Sequence, residues 1–371
     1  LPPINPIGTS ETRQGPDGQP FSPVDVTRPW DSLSPEEQQL FARMAEVYAG
    51  FLAHADHQIG RLLDFLEFIG ERDNTLIMLV SDNGASGEGG PDGSVNEMMF
   101  MNGIPDDIDA NLAMIDELGG PKTYNHYPNG WAMAFNTPFK MWKRYEFEGG
   151  TADPCIVSWP AGMEARGELR TQYHHAIDLV PTVLDALGVT APSSIKGTTQ
   201  SHFDGVSMRY SFDDESAAGE RTTQFYSMLG SRGIWHDGWK AVTTHPTISG
   251  WGNFNDDEWE LYHTDVDRSE VNNLADEHPD KLRELIGIWF AEAGANQAFP
   301  LDDRSALEIL TTPRPQLTPP RDRYVYFPDC AEVPESQAVS IRNRSFAMAA
   351  LVDIPGPGAE GVLCAQGSRF G

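Results

Sequence analysis

Four consecutive residues, Ser81-Asp82-Asn83-Gly84, place a carboxylate beside an amide in a setting that could bind a metal ion. They follow the apolar run 75–80, which predicts a buried strand, and they precede a glycine-rich loop. The carboxyl ends of strands in open α/β sheets border the ligand crevice, and neighbouring side-chain oxygens suit a hard cation such as Ca²⁺ or Mg²⁺. Because Asn-Gly is also a strong signal for a tight turn, these four residues alone leave both interpretations open.

The strand that carries this sequence is preceded by a long predicted helix. Ser34-Pro35-Glu36-Glu37 forms a capping box with proline at the first helical position. Apolar residues then recur at helical spacing, which predicts an amphipathic helix to about Ile69 that ends at Gly70. A helix followed by a short loop and a buried strand is an α/β unit.

Further elements follow along the chain. The patterns predict a long loop over 84–130, either functional or disordered. They also predict helices over 178–187 and 279–292, and strands over 154–160, 224–229, 239–242 and 259–262. The strands at 224–229 and 239–242 are expected to pair, with a turn at 236–238. A proline-rich linker spans 311–321, and the segments 339–344, 346–352 and 362–366 are predicted to be β.

Composition limits the classes of partner. The 371 residues carry 26 Lys and Arg against 55 Asp and Glu, a net charge of −29. Such a polyanion repels nucleic-acid phosphates and anionic membranes, and no apolar run reaches the ~18 residues of a membrane span. The three cysteines, Cys155, Cys330 and Cys364, are scattered and form no disulfide framework or CxxC metal pattern. We therefore expect neither a nucleic-acid partner nor a membrane partner.

Several short motifs follow one another along the chain: Ser81-Asp82-Asn83-Gly84, Lys143 with Gly149-Gly150 beginning six residues later, Trp159-Pro160, Asp178-Leu179-Val180-Pro181-Thr182-Val183-Leu184 with Gly188, Glu260-Leu261-Tyr262 and Asn273-Leu274-Ala275. Their order resembles that of the sulfatase family, in the alkaline phosphatase-like superfamily. The resemblance covers most of residues 24–310 and is strongest to the bacterial arylsulfatase branch. The branch also shares Trp30-Asp31, Gly130-Trp131-Ala132 and Gly238-Trp239-Lys240-Ala241-Val242.

The resemblance implies specific roles. Asp82 and Asn83 would be two of the ligands to an active-site Ca²⁺, with Mg²⁺ as the alternative metal, and Lys143 would contact the sulfate group and the ester oxygen. A sulfate ester needs positive charge where its oxygens gather negative charge. The alternative for Lys143 is a solvated surface cation. His126 could line the substrate pocket or be an ordinary loop histidine.

The same resemblance identifies what the sequence lacks. Sulfatases use a formylglycine nucleophile made from Cys or Ser in the motif Cys/Ser-x-Pro-x-Arg, and no such pentapeptide occurs in the 371 residues. The remaining metal carboxylates of the family precede the region that is matched here. We therefore expect the carboxyl-terminal part of a longer sulfatase, whose isolated chain is inactive.

The expected fold class is α/β. Residues 1–215 would form the carboxyl-terminal half of a sulfatase core, residues 216–311 a small domain with an antiparallel sheet and a helix, and residues 312–371 a linker and a β-rich extension. The expected reaction is hydrolysis of a small-molecule sulfate ester of the arylsulfatase type. Two alternatives remain: a phosphodiesterase or phosphonate monoester hydrolase on the same scaffold, and an inert fragment. The whole hypothesis requires Asp82, Asn83 and Lys143 to converge in one pocket.

Overall fold

A computed structural model describes residues 25–101, 104–245, 252–304, 308–309, 312, 321–328, 330, 333, 338–341, 344–354 and 356–363. The chain divides into two compact units, 1–312 and 313–371. The fold class is α/β, as predicted, with helices and three separate small sheets in the described residues. The boundary near residue 215 stays a prediction.

The first helix, α1, spans Pro35–Phe68 and confirms the predicted long helix. Its capping box is present, because the Ser34 hydroxyl accepts a hydrogen bond from the Glu37 amide at 3.2 Å and the Glu37 carboxylate accepts one from the Ser34 amide at 2.7 Å. The first third of α1 packs into the core through Leu40, Phe41 and Met44. Apolar side chains of the remainder are exposed: Phe51, Leu52, Ile59, Leu62, Phe65 and Phe68.

Strand β1 (Ile77–Val80) pairs with β2 (Cys155–Ser158) in an antiparallel ladder that joins Ile77 to Ser158 and Val80 to Cys155. Both strands lie where the sequence predicted them, but the prediction that β1 is buried is wrong. Leu79 is 45% exposed, and Ile156 on β2 is 60% exposed. Within the described residues this sheet has two strands, so its apolar side chains lack the cover that an inner strand receives.

Residues 84–130 are not a plain loop, because short elements interrupt them. The helices here are α2 (Met98–Met101), α3 (Ile108–Ala113) and α4 (Asn129–Phe135), with a 3₁₀ turn at Ile115–Glu117. Helices α3 and α4 and the 3₁₀ turn pack against a core that α1 shares with Tyr127, Trp142, Tyr145 and Phe147. A one-turn helix, α5 (Glu148–Thr151), leads into β2.

Helix α6 spans Leu179–Leu187, as predicted, and ends at Gly188 in the left-handed conformation, with φ of 63°. A 3₁₀ turn at Ala176–Asp178 precedes it. The short strands β3 (Ser194–Ile195) and β4 (Thr198–Thr199) form a separate two-stranded sheet. A further 3₁₀ turn covers Met208–Ser211.

A four-stranded antiparallel sheet forms the last part of the first unit. Its strands lie in chain order: β5 (Thr223–Met228), β6 (Ser231–His236), β7 (Trp239–Thr243) and β8 (Trp259–His263). A 3₁₀ turn at Phe254–Asp256 precedes β8, and helix α7 (Pro279–Ala295) packs on the sheet through Leu285, Trp289 and Ala293.

One predicted pairing in this sheet is wrong, because β5 and β7 do not pair with each other. Each pairs instead with β6, which the sequence analysis did not predict. The expected turn after His236 is present, with Asp237 and Gly238 in the left-handed region, and it joins β6 to β7. A second tight turn at Leu229 and Gly230 leaves room for the extra strand. The alternation of β6 is weak because Arg232, Ile234 and Trp235 are all buried.

In the second unit the predicted β segments are not strands where they are described, over 339–341, 344, 346–352 and 362–363. The rest of these segments, and Cys364, lie outside the described residues. The local sequence favours extended backbone here, but no described segment forms a ladder with it. None of the described helices has the length and apolarity needed to cross a bilayer.

Candidate functional site

The predicted metal pair lies in a bend of the chain directly after β1, which we call the Asp82 turn. The Ser81 amide donates to the carbonyl of Pro154 at 3.3 Å, which extends the pairing of β1 with β2 by one residue. The Ser81 hydroxyl donates to the carbonyl of Asn83 at 2.9 Å, and the Asn83 amide nitrogen donates to the carbonyl of Gly84 at 2.8 Å. The turn keeps the Asp82 side chain exposed. Neither Asn83 nor Gly84 has the left-handed backbone conformation of a tight Asn-Gly hairpin turn, so the bend does not decide against the metal interpretation.

Gly84 and the Gly149-Gly150 pair are in direct backbone contact. The Gly84 amide donates to the carbonyl of Gly150 at 3.4 Å. A Cβ atom on Gly84 would overlap the carbonyl oxygen of Gly149, and one on Gly149 would overlap the carbonyl oxygens of Lys140 and Met141. Glycine is needed at both places because two backbones approach more closely than a side chain permits. The two glycines that follow Lys143 therefore let the backbone at 149–150 lie directly against the Asp82 turn.

The Lys143 segment is fastened to the same turn by Asn136. The Asn136 side-chain oxygen accepts a hydrogen bond from the Ala85 amide at 2.9 Å, and its nitrogen donates to the carbonyl of Met141 at 3.1 Å. The Lys143 amide donates to the carbonyl of Ala85 at 3.0 Å. The backbone of Lys143 therefore lies beside a residue three positions after Asp82. Asn136 carried no sequence signal, since Ala85, its partner in the turn, is 51 residues away along the chain.

Lys143 is presented to solvent by buried neighbours. Every other residue from 140 to 149 is buried, whereas the Lys143 side chain is 35% exposed. The adjacent Trp142 is fully buried, and the Arg144 guanidinium donates to Asp25 at 2.8 Å. The Lys143 ammonium lies 3.2 Å from a carboxylate oxygen of Glu88, which sequence reasoning missed. An ammonium with one acidic partner and an open side can also contact an anion.

His126 lies beneath the glycine-rich loop. It is buried, and its Nδ1 is 2.8 Å from the carbonyl oxygen of Tyr127. A Cβ atom on Gly89 would contact the His126 ring, so His126 supports the loop next to Glu88. These contacts describe a packed histidine, and its role in a substrate pocket stays a prediction.

Asp153 is an acidic neighbour of Asp82 that the sequence analysis missed. Burial, together with the negative charges of Asp82 and Glu148, raises the pKa of Asp153 to about 6. Continuing the antiparallel register beyond the pair Val80 and Cys155 sets Asp82 opposite Asp153. Asp153 could have been found only if the pairing of β1 with β2 were known, and a single sequence does not give that pairing.

The donors present fit a Ca²⁺ ion in part. Asp82 forms no hydrogen bond or ion pair within the described residues, and the Asn83 side-chain oxygen likewise has no partner there. Carboxylate and amide oxygens are the ligands that Ca²⁺ prefers, although it takes 6–8 of them. In the described part of the chain, no group of three His, Cys, Asp or Glu side chains is arranged to hold a metal. Asp82 and Asn83 can thus supply a fraction of a coordination shell.

Comparison with known protein families finds two overlapping matches. The family model described as sulfatase matches residues 7–189. The model described as N-sulphoglucosamine sulphohydrolase, C-terminal, matches residues 139–286. The first match includes the Asp82 turn and Lys143, and the second extends from the Lys143 segment through the four-stranded sheet. Together they cover the region in which the motifs were recognised.

Two relatives identified by sequence agree with these matches. An uncharacterized sulfatase of Schizosaccharomyces pombe is 31% identical over 288 residues, covering 74% of this chain and 48% of the relative. An arylsulfatase of Klebsiella aerogenes is 26% identical over 180 residues, covering 48% of this chain and 37% of the relative. Among solved structures, Ps i-CgsB has a TM-score of 0.47 and 20% identity over 71% of this chain and 46% of that chain. The chain spans at most about half the length of these relatives. By its family models and its relatives, this chain belongs to the sulfatase family.

Proposed function

We propose that this sulfatase hydrolyses small-molecule sulfate esters of the arylsulfatase type, with Lys143 as a sulfate contact. One observation carries the proposal: the segment 140–149 is hydrogen-bonded to the Asp82 turn, and Lys143 is the residue of that segment that is not buried. Two neighbouring oxygen donors and an ammonium group on joined segments suit an anionic ester. The name of the Klebsiella aerogenes relative supports the aryl class.

Each residue has a distinct proposed role. The Lys143 ammonium would bind a sulfate oxygen and stabilise charge that develops on the leaving oxygen. Asp82 and Asn83 would hold Ca²⁺, which, when bound, supplies positive charge to the sulfate oxygens. Glu88 would keep the Lys143 ammonium in place before substrate arrives, since the two groups lie 3.2 Å apart. The formylglycine nucleophile is not encoded in these 371 residues.

The role of Lys143 is tested by turnover of 4-nitrophenyl sulfate in the enzyme that combines this chain with a formylglycine-bearing segment. Lys143→Ala should lower kcat/KM by roughly 10²-fold, the scale for losing one preorganised charge contact. Lys122→Ala is the matched control, because Lys122 also pairs with one acid, Glu117 at 2.7 Å, but is more exposed. Equal kcat/KM for the Lys143 variant and the wild type would remove Lys143 from the site.

Two further assays address the rest of the proposal. The isolated 371-residue chain should show no turnover of 4-nitrophenyl sulfate, because it encodes no formylglycine motif. Turnover that scales with the concentration of the pure chain would overturn this part.

In the combined enzyme, kcat/KM for the sulfate ester should exceed that for an aryl phosphonate monoester. The reverse order would favour the phosphonate hydrolase alternative.

A further inference from the structure

The segment that carries Lys143 is held from behind by the four-stranded sheet. We propose that Lys240, with Glu148 and Glu270, forms a buried clamp that positions Lys143 for the sulfate group. We call these three residues the Lys240 clamp, and its members are positioning residues because they act through the backbone of the segment. The proposal deepens the sulfate-ester function proposed above and rests on it.

The clamp joins strand β7 to helix α5. The fully buried Lys240 ammonium lies 2.9 Å from Glu148 and 3.1 Å from Glu270, and it donates to the Thr151 hydroxyl at 3.3 Å. Glu148 and Thr151 are the first and last residues of α5, and Gly149-Gly150 lies between them. Glu270 also accepts a hydrogen bond from the Glu148 amide at 2.7 Å. Both ends of the helix behind Gly84 are therefore fixed to the sheet.

A second buried lysine fixes the other end of the segment. The Lys140 ammonium donates to Glu260 at 2.9 Å and to the Tyr262 hydroxyl at 3.0 Å, and both partners lie on β8. The carbonyl of Lys140 accepts a hydrogen bond from the Gly149 amide at 2.8 Å. Positions 140 and 148–151 are thus tied to each other and to adjacent strands.

Lys143 lies between these two anchors, in backbone that needs support. Met141 and Arg144, on either side, have φ values of 64° and 86°. Side-chain-bearing residues in this left-handed region store strain and persist only where the surrounding structure holds them. Weakening an anchor should therefore let the segment relax and Lys143 move away from Glu88.

The chemistry of the clamp also favours positioning over bulk stability. Burying one ammonium with two carboxylates has a large desolvation cost, and apolar replacements of buried ion pairs are often neutral or stabilising. Directional bonds from one ammonium to two carboxylates and a hydroxyl instead define where α5 lies. Lys240 is 92 residues from Glu148 in the chain, so this placement of α5 depends on where strand β7 lies in the folded protein.

The test measures how fast the Lys143 amine is acetylated, by tryptic mass spectrometry of the full 371-residue chain. The clamp variant Lys240→Met/Glu148→Gln/Glu270→Gln removes all three charges of the clamp, so neither of its carboxylates is left without the ammonium. We expect Lys143 to be acetylated at least about threefold faster than in the wild type, because local opening exposes the amine. Lys122 serves as the internal reference. The matched control is Arg221→Met/Asp178→Asn. It also removes a buried ion pair, but one whose hydrogen-bond partners lie outside residues 140–151.

A milder variant covers the case in which the triple variant does not fold. Glu148→Gln leaves Lys240 paired with Glu270 alone, a neutral pair, and should speed Lys143 acetylation by about twofold. Unchanged Lys143 rates in the folded clamp variants would overturn the proposal, as would an equal increase in the Arg221 control. Because labelling requires no turnover, this outcome is separate from a failure of the sulfatase proposal.

A kinetic cycle in the combined enzyme separates positioning from general stability. Glu148→Gln should lower kcat/KM for 4-nitrophenyl sulfate when Lys143 is present but have little further effect in the Lys143→Ala background. Equal losses in both backgrounds would mean that the clamp acts independently of Lys143 and would overturn the proposal.

Discussion

Two regions of the first unit differ in which of their side chains are buried. In the layer formed by the second half of α1 with β1 and β2, large apolar side chains are exposed, such as Phe68 at 87%. In the junction between residues 140–151 and the strands β7 and β8, even charged side chains are buried, including Lys140, Glu146 and Lys240. We call these regions the α1 layer and the junction.

The comparison teaches that sequence pattern and burial are separate properties. The α1 layer has the stronger apolar pattern, yet many of its large apolar side chains are exposed among the described residues. The junction has a mixed pattern but brings partners together from about a third of the chain's length away. The same type of substitution should therefore change the free energy of unfolding by different amounts in the two regions.

The largest contrast should come from removing aromatic side chains. Trp289→Ala, beneath the four-stranded sheet, should lower the free energy of unfolding by about 3–5 kcal/mol, because Trp289 is fully buried and its indole nitrogen donates to Tyr226. Phe68→Ala on α1 should change it by less than about 0.5 kcal/mol. Urea denaturation of both variants measures the difference. A large loss for Phe68→Ala would show that the α1 layer is covered in solution.

A second contrast concerns pH. Burial raises the pKa of Glu146 to about 8, so the folded state keeps its proton while the unfolded state ionises above about pH 4.3. This group therefore lowers stability as pH rises, up to its folded pKa. Relative to Glu146→Gln, the wild type should lose roughly 1 kcal/mol per pH unit between pH 5 and 8.

The control for that titration is Asp64→Asn on the exposed face of α1. Its unfolding free energy should follow the wild type at constant offset across the same pH range. Urea denaturation at several pH values checks both variants. Parallel curves for Glu146→Gln and wild type would contradict the prediction.

The smallest contrast uses one substitution in two places. Gly84→Ala should destabilise the protein by about 1–3 kcal/mol, since its Cβ would overlap the carbonyl oxygen of Gly149. Gly50→Ala in α1 meets no atom within 4 Å and should stabilise it by about 0.5–1 kcal/mol through helix propensity. Thermal unfolding of both variants decides the signs. Equal shifts would mean that Gly84 has room that the structure does not show.

Much of the local structure followed from sequence. The capping box at Ser34, the helix stop at Gly188 and the turn at Asp237 are all present, because each depends on residues within a few positions. Strand β6 was missed, and with it the pairing of the sheet, because its alternation is obscured by the buried charge of Arg232. Burial of β1 was wrong because burial depends on neighbours that a strand's own sequence does not encode.

The candidate site divides in the same way. Motif spacing identified Asp82, Asn83 and Lys143, and their roles stay predictions. Their surroundings were not predictable. Three of these neighbours come into place only when the chain folds back: Glu88 beside Lys143, Asp153 near Asp82, and Asn136 bonded to Ala85. No pattern marks such residues in advance.

By itself, the sequence determined helices α1, α6 and α7 with the capping box of α1, most of the strands, and the motif order that identifies the sulfatase family. These features depend on interactions within a turn or two of backbone, or on spacing that can be counted along the chain. Tertiary structure alone decided which apolar faces are covered, which carboxylates pair with Lys140 and Lys240, and how Lys143 reaches the Asp82 turn. Those outcomes depend on contacts between residues that are far apart along the chain, and only packing of the whole unit selects among them.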